Sequence, residues 1–197
     1  MLNPKIDDWF KLKGWKPHNY QIELNNKLSN LNSALVIAPT GGGKTLAGFI
    51  PPIADIIKEM PKGLHTLYIS PLKALANDIE RNLEFPIKEM ELDITLETRT
   101  GDTKQSKRNS QKLNPPNFLM TTPESFILML SWETSKKFFS NLKFLIIDEI
   151  HTLFNDKRGD LLSLGISQLR YINSNFKKIG LSATVSDPKT ILLWLNS

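Results

Sequence analysis

The 197-residue sequence contains no cysteine, so neither a disulfide framework nor a thiolate zinc site is available, which fits a reducing, intracellular setting. No apolar run approaches the roughly 20 residues of a membrane span, and the opening MLNPKIDDWF lacks the basic-then-apolar order of a secretory signal. A soluble, cytoplasmic protein with no membrane partner is expected. Neither sign of charge dominates: 25 Lys and Arg stand against 20 Asp and Glu, a net charge of +5, with a pI near 9.3. That basic excess is compatible with a polyanionic partner without requiring one, because lysine-rich solvated faces are common. Internal repeats, low-complexity tracts and interior linkers are also missing. The chain is long enough for one full α/β domain with a short extension.

What the sequence does contain is organised around ALVIAPTGGGKTL, from Ala34 to Leu46. The β-branched run Leu35-Val36-Ile37 stops at Pro39, passes Thr40 and three glycines, and re-emerges as Lys44-Thr45 at the head of an apolar-periodic segment. That order predicts strand, tight loop, helix start. Gly41, Gly42 and Gly43 tolerate positive φ and bring backbone close to a ligand. Their N–H groups, with the positive end of the next helix, form a cradle for phosphate oxygens. Lys44 is placed to reach the β/γ-phosphates of a nucleoside triphosphate and the Thr45 hydroxyl to ligate Mg²⁺. The strict phosphate-loop pattern calls for glycine where Ala38 stands, so the match is to a variant of it.

The remaining segments follow in a regular alternation. Residues 1–33 read as a helical preamble broken at Gly14, with Trp9, Phe10 and Trp15 as packing anchors and a second helix started near Pro17. Gln21 sits about 20 residues ahead of the loop, and a glutamine amide donates to and accepts from an adenine edge at once. His18 and His65 are read as structural. A helix from Leu46 to Met60, interrupted at Pro51-Pro52, leads to strand Thr66–Ile69 and then Ser70-Pro71, read as a helix cap and first helical residue. A strand from Leu92 to Glu97 delivers Thr98-Arg99-Thr100-Gly101-Asp102 and a basic helix. Strand Phe118–Met120 meets Thr121-Thr122-Pro123, again a capped helix start. The run Phe144–Ile147 suits a central parallel strand buried on both faces. It ends in Asp148-Glu149-Ile150-His151, and two acids there are costly to bury without a cation. Asp148 is therefore the expected Mg²⁺ partner and Glu149 the base that orients the attacking water. A helix over 157–173 follows a basic turn holding Arg158. Strand Lys178–Leu181 then leads into Ser182-Ala183-Thr184 and a last helix. Six strands alternating with helices predict a mainly parallel sheet covered on both faces, with every motif at the carboxyl ends of strands, where ligands bind.

In this order and spacing, APTGGGKT, SPLKALA, RTGDT, TTPES, DEIH and LSAT resemble the motifs of superfamily 2 DExH-box helicases. YISPLKALANDIERNL, TRTGDTKQSKR and KRGDLL resemble the large helicase-related (Lhr) group, and WFKLKGWKPHNYQ resembles its ligase-associated DEXH-box branch. The resemblance implies a three-layer α/β/α RecA-like P-loop NTPase domain over residues 34–197, preceded by a segment, 1–33, that carries an adenine-reading Gln21. It implies an ATP- and Mg²⁺-dependent DNA translocase acting in repair, loading on single strand and moving 3′ to 5′, with RNA still open and a DNA ligase as a partner by analogy. Asp148, Glu149, Lys44 and Thr45 keep the roles argued above, and His151, Ser182, Ala183 and Thr184 couple the nucleotide to the nucleic acid. Helix starts at Pro71 and Pro123 aim N–H groups at backbone phosphates, and Lys73, Arg99, Thr100, Gly101, Thr122 and Arg158 add contacts that read no bases. Helicases of this kind need a second RecA-like domain that supplies arginine fingers. No motif beyond Ser182-Ala183-Thr184 follows here, so the chain is expected to be a first motor domain, nearly inactive alone. Two other readings stay open: a nucleic-acid-binding or interaction module with a vestigial nucleotide site, and a small P-loop phosphotransferase.

Overall fold

The computed structural model describes residues 1–154 and 156–196. The strands are β1 Ser33–Ile37, β2 Thr66–Ile69, β3 Leu96–Arg99, β4 Phe118–Thr121, β5 Phe144–Ile147 and β6 Lys177–Ser182. The α-helices are α1 Pro4–Leu12, α2 Asn19–Lys27, α3 Lys44–Glu59, α4 Lys73–Glu89, α5 Gln105–Leu113, α6 Pro123–Leu130, α7 Ser135–Phe138, α8 Ile150–Leu153, α9 Lys157–Ile172 and α10 Pro188–Asn196. All six strands are parallel, in the order β1-β6-β5-β2-β4-β3.

Strands β2, β4 and β5 are buried at every position, which is why each reads as an unbroken apolar run rather than an alternation. One apolar cluster joins one face of the sheet to α3, α4 and the N-terminal helices through Phe49, Ile53, Leu83, Trp9, Phe10 and Leu24. A second joins the other face to α6, α9 and α10 through Phe126, Leu130, Leu162, Ile166, Leu169 and Ile191. The result is a three-layer α/β/α sandwich of the RecA-like type.

Four local expectations are corrected. First, α3 runs unbroken through Pro51 and Pro52. The residues one turn back, Ala47 and Gly48, are small, and burial of Phe49, Ile50, Ile53 and Ile56 outweighs the lost hydrogen bonds. Second, β3 begins at Leu96, not Leu92. Glu91 has φ 51°, and Leu92 N donates to Ile87 O, so 90–94 is a turn that folds back on α4. Third, α4 starts at Lys73 behind an extended Leu72. Ser70 N still bonds Thr121 O in the sheet ladder, so Pro71 is not a first helical residue. Fourth, Trp15 is 56% exposed and only its edge meets Trp9, at 5.7 Å.

Candidate nucleotide site

Strand order divides the carboxyl-end rim into two halves. Strands β1, β6 and β5 present the glycine loop, Ser182-Ala183-Thr184 and Asp148-Glu149. Strands β2, β4 and β3 present Ser70-Pro71, Thr122-Pro123 and Thr100-Gly101.

On the first half, Ala38 N bonds Ser182 O at 3.1 Å and Gly42 N closes a turn on Pro39 O at 3.0 Å. Gly41 and Gly43 have φ of 77° and 79°, the left-handed region where a side chain is strained. Thr40 stands exposed at the loop tip. The first-turn N–H groups of α3 open beyond the loop, where no earlier helical carbonyl serves them. Lys44 is 7% exposed, and its ammonium lacks any hydrogen-bond partner. The nearest carboxylate oxygen, Glu149 Oε1, lies 4.0 Å away.

Asp148, 6% exposed, accepts from Tyr68 Oη at Oδ2 and from Glu149 N at Oδ1, at 2.9 Å. Burial pushes its carboxyl above the ordinary value against the pull of the Tyr68 hydrogen bond. Burial first, then Asp148, raises the Tyr68 phenol well above its own ordinary value, so Tyr68 stays a donor. Glu149 adopts φ 46°, ψ 43°, a strained conformation for a residue with a side chain and one that recurs at functional sites. His151 Nδ1 lies 2.8 Å from Ser182 Oγ and 3.4 Å from Glu149 Oε2. Because the Ser182 hydroxyl donates to Thr184 O at 3.0 Å, it can only accept from the imidazole, which places the proton on Nδ1. Ala183 supplies backbone to this bend. Thus Lys44, Asp148, Glu149, His151 and Ser182, drawn from three strands, meet in one place.

Gln21 is 2% exposed. Its Oε1 accepts from His18 N at 2.8 Å and its Nε2 donates to Gly43 O at 3.1 Å, leaving one lone pair and one N–H uncommitted. A cavity of about 350 Å³ adjoins the loop, lined by Trp15, Gly43, Thr45, Leu46 and Phe85 among others. The arrangement fits a magnesium-bound triphosphate: a buried ammonium with no hydrogen bond, a glycine cradle, and Thr45 with Asp148 as oxygen donors. Among the described residues no His, Cys, Asp or Glu group forms a cage of three or more, and Mg²⁺ typically needs only one or two protein carboxylates beside phosphates and waters.

The second half of the rim differs from expectation in detail. Arg99 is 9% exposed, stacks 4.5 Å over Trp132 and donates to Arg108 O and Gln111 Oε1. Burial lowers its pKa to about 10. Its guanidinium is packed against Trp132 rather than open at the rim. Thr122 caps α6 through Ser125 N, and Pro123 opens that helix as predicted. Thr100 is buried and its hydroxyl accepts from Asp102 N. Arg158 forms a two-pronged bond to Glu124, at 2.6 and 3.2 Å, which ties α9 to α6. Lys73 is exposed and pairs with Asp102 at 2.9 Å beside the open Gly101. No local pattern marks Tyr68, a tyrosine inside an apolar strand, or Tyr20, whose hydroxyl donates to Gly42 O.

A DEAD/DEAH box helicase family model matches residues 18–191. The ATP-dependent helicase Lhr-Core of Methanocaldococcus jannaschii is 40% identical over 94% of this chain and 24% of its own length. The Lhr helicase/probable uracil glycosylase of Mycolicibacterium smegmatis is 38% identical over 96% of this chain and 13% of its own. The chain therefore spans less than a quarter of the length of these relatives. The structure of Mycobacterium smegmatis helicase Lhr bound to ssDNA and AMP-PNP superposes with a TM-score of 0.87 at 37% identity, covering 96% of this chain and 26% of that one. The DUF1998 helicase MrfA bound to DNA and AMPPNP gives a TM-score of 0.86 at 26% identity, over 98% of this chain and 28% of that one. By its motifs, its fold and these matches, the chain belongs to the DEAD/DEAH box helicase family and is homologous to the Lhr helicases.

Proposed function

We propose that the chain is the first RecA-like motor domain of an ATP-dependent DNA helicase or translocase, residues 34–197 forming the motor and residues 1–33 an appended segment carrying Gln21. The observation that carries this reading is the buried Lys44 ammonium, which makes no hydrogen bond and faces the Asp148-Glu149 pair with Glu149 Oε1 4.0 Å away. When bound, ATP·Mg²⁺ supplies the scissile phosphoanhydride and a divalent charge that Thr45 and Asp148 hold in register. Lys44 neutralises phosphate charge, and Glu149 accepts the proton of the attacking water. Tyr68 keeps the Asp148 carboxylate fixed. His151 and Ser182 connect the catalytic acid to the backbone at Thr184, and Ser182, Ala183 and Thr184 are proposed to couple nucleotide state to the nucleic acid. The aromatic-lined cavity beside the loop suits a purine; Gln21, which is 2% exposed and meets that lining only through its bond to Gly43 O, is proposed to read the base edge with its spare donor and acceptor.

On the other half of the rim, the N-termini of α4 and α6, Lys73 and Gly101 offer sequence-independent phosphate contacts. Single-stranded DNA is the proposed partner, since one solved relative is named as bound to ssDNA and another as bound to DNA, and the glycosylase in a relative's name supports a setting in DNA repair. A DNA ligase partner rests on the N-terminal resemblance alone. An arginine finger from a second motor domain is worth roughly 10³ to 10⁵ in rate in related hydrolases, so this chain by itself should bind ATP and turn it over slowly or not at all. A steady-state ATPase assay with single-stranded DNA tests this. Slow turnover that Glu149→Gln abolishes is expected, whereas fast DNA-stimulated turnover by a verified monomer would refute the two-domain requirement.

A further inference from the structure

The phosphate loop is gripped from outside by the first turn of α2. Tyr20 Oη donates to Gly42 O, and Gln21 Nε2 donates to Gly43 O at 3.1 Å, a carbonyl that also accepts from Ala47 N at 3.0 Å inside α3. A trans peptide is planar, so a carbonyl and the N–H of the next residue point in opposite directions. Holding the Gly42 carbonyl toward Tyr20 therefore turns the Gly43 N–H away from it, toward the cradle. The same logic turns the Lys44 N–H away from the carbonyl that Gln21 and Ala47 hold. The grip is close: a Cβ on Gly43 would lie 2.9 Å from Gln21 Nε2, 3.5 Å from Tyr20 Oη and 3.7 Å from the His18 ring. Tyr20 is itself braced, its ring stacked on His18 at 5.4 Å and 10°, and burial raises its phenol above the ordinary value, which preserves it as a donor.

We propose that Tyr20 is a positioning residue of the phosphate site: by holding the Gly42 carbonyl outward it pre-orients the loop N–H groups, so that α2 sets affinity for the polyphosphate chain whatever base is attached. This deepens the nucleotide reading above and rests on it. A base-reading residue discriminates ATP from GTP. A loop-orienting residue does not.

The test is calorimetric titration of the whole chain, wild type and Tyr20→Phe, with ATP, GTP, inorganic tripolyphosphate and AMP in the presence of Mg²⁺. Tyr20→Phe keeps the ring and its stacking on His18 and removes only the hydroxyl. Affinity for ATP, GTP and tripolyphosphate should fall together by about 5- to 10-fold, the scale of one hydrogen bond. AMP, which lacks the β/γ-phosphates, should change by less than about 2-fold on the same scale. The unliganded melting temperature should fall by no more than about 2–4 °C, the scale of one hydrogen bond in a chain of this size. The proposal is overturned if the three polyphosphates bind the variant as tightly as wild type, if only ATP is affected, or if AMP falls in parallel and the melting temperature drops by more than that. A wild-type chain that binds none of the three refutes the nucleotide reading itself, a result distinct from equal binding by both proteins.

Discussion

A lysine ammonium that is 7% exposed, lacks a hydrogen-bond partner and has its nearest carboxylate 4.0 Å away is a cost to the fold, because so distant an ion pair compensates its desolvation only in part. Such a group persists where a ligand completes it. Lys44→Met keeps the chain length and apolar stem while removing the charge. It should weaken ATP binding by at least about 100-fold, on the scale of a lost charge-assisted contact to phosphate. The unliganded domain should change in stability by no more than about 1 kcal/mol, because relief of the ammonium's desolvation is offset by the loss of its attraction to Glu149, 4.0 Å away. Fluorescence titration and a thermal melt check both arms. The glycine loop and the tandem acids are legible from residue order because their chemistry needs adjacent positions. Tyr68 and the packing role of Arg99 are not, because each depends on a partner from another strand or helix. Tyr68 meets Asp148, 80 residues on, and Arg99 lies over Trp132, relations that no local pattern encodes.

At the scale of elements, the rim is only as well placed as the helices beneath it. Gly165 lets α9 lie against α6: a Cβ there would come within 2.5 Å of Ile127 Cδ1 and 2.8 Å of Phe126 Cε1. Glycine to alanine within an exposed helix ordinarily stabilises by about 1 kcal/mol. Here Gly165→Ala should instead destabilise by about 1–3 kcal/mol through overpacking, as a urea titration would measure. The opposite end of the sheet is fixed by His65, fully buried, which bonds Asp55 Oδ2 and Thr66 Oγ1, each at 2.9 Å. The His65 hydrogen bond, with help from Lys143 and against the effect of burial, holds the Asp55 carboxyl below its ordinary value. A depressed acid stabilises the fold above its unfolded value, near pH 4, and loses that contribution as pH falls through the folded one. Asp55→Asn should therefore cost about 1 kcal/mol at pH 7 and flatten the decline in stability below about pH 4, read from melts across pH. The parallel sheet and its element order follow from unbroken apolar runs separated by helix signals. The continuity of α3 through two prolines and the late start of α4 do not, since packing of Phe49 and Ile53 and the Ser70 ladder bond outweigh local propensity.

For the molecule as a whole, the strand order divides the rim into the two halves on which a nucleotide and a nucleic acid are proposed to bind. The phosphate loop and the acid pair lie two strands apart, with β6 between them, and Tyr68 on β2 reaches across to Asp148 at the border with the other half. On the proposed reading, a nucleotide at one half is one hydrogen bond from the strand that leads to the other. The central claim is that the loop after β1 and the carboxylate after β5 hold one magnesium-bound triphosphate together. Its most direct test is the factor by which Mg²⁺ tightens binding of a non-hydrolysable ATP analogue, compared between wild type and Asp148→Ala. Mg²⁺ should strengthen binding to the wild type by about 10-fold or more, and Asp148→Ala should lose that enhancement while retaining Mg²⁺-free binding. An undiminished Mg²⁺ effect in Asp148→Ala would contradict the shared site.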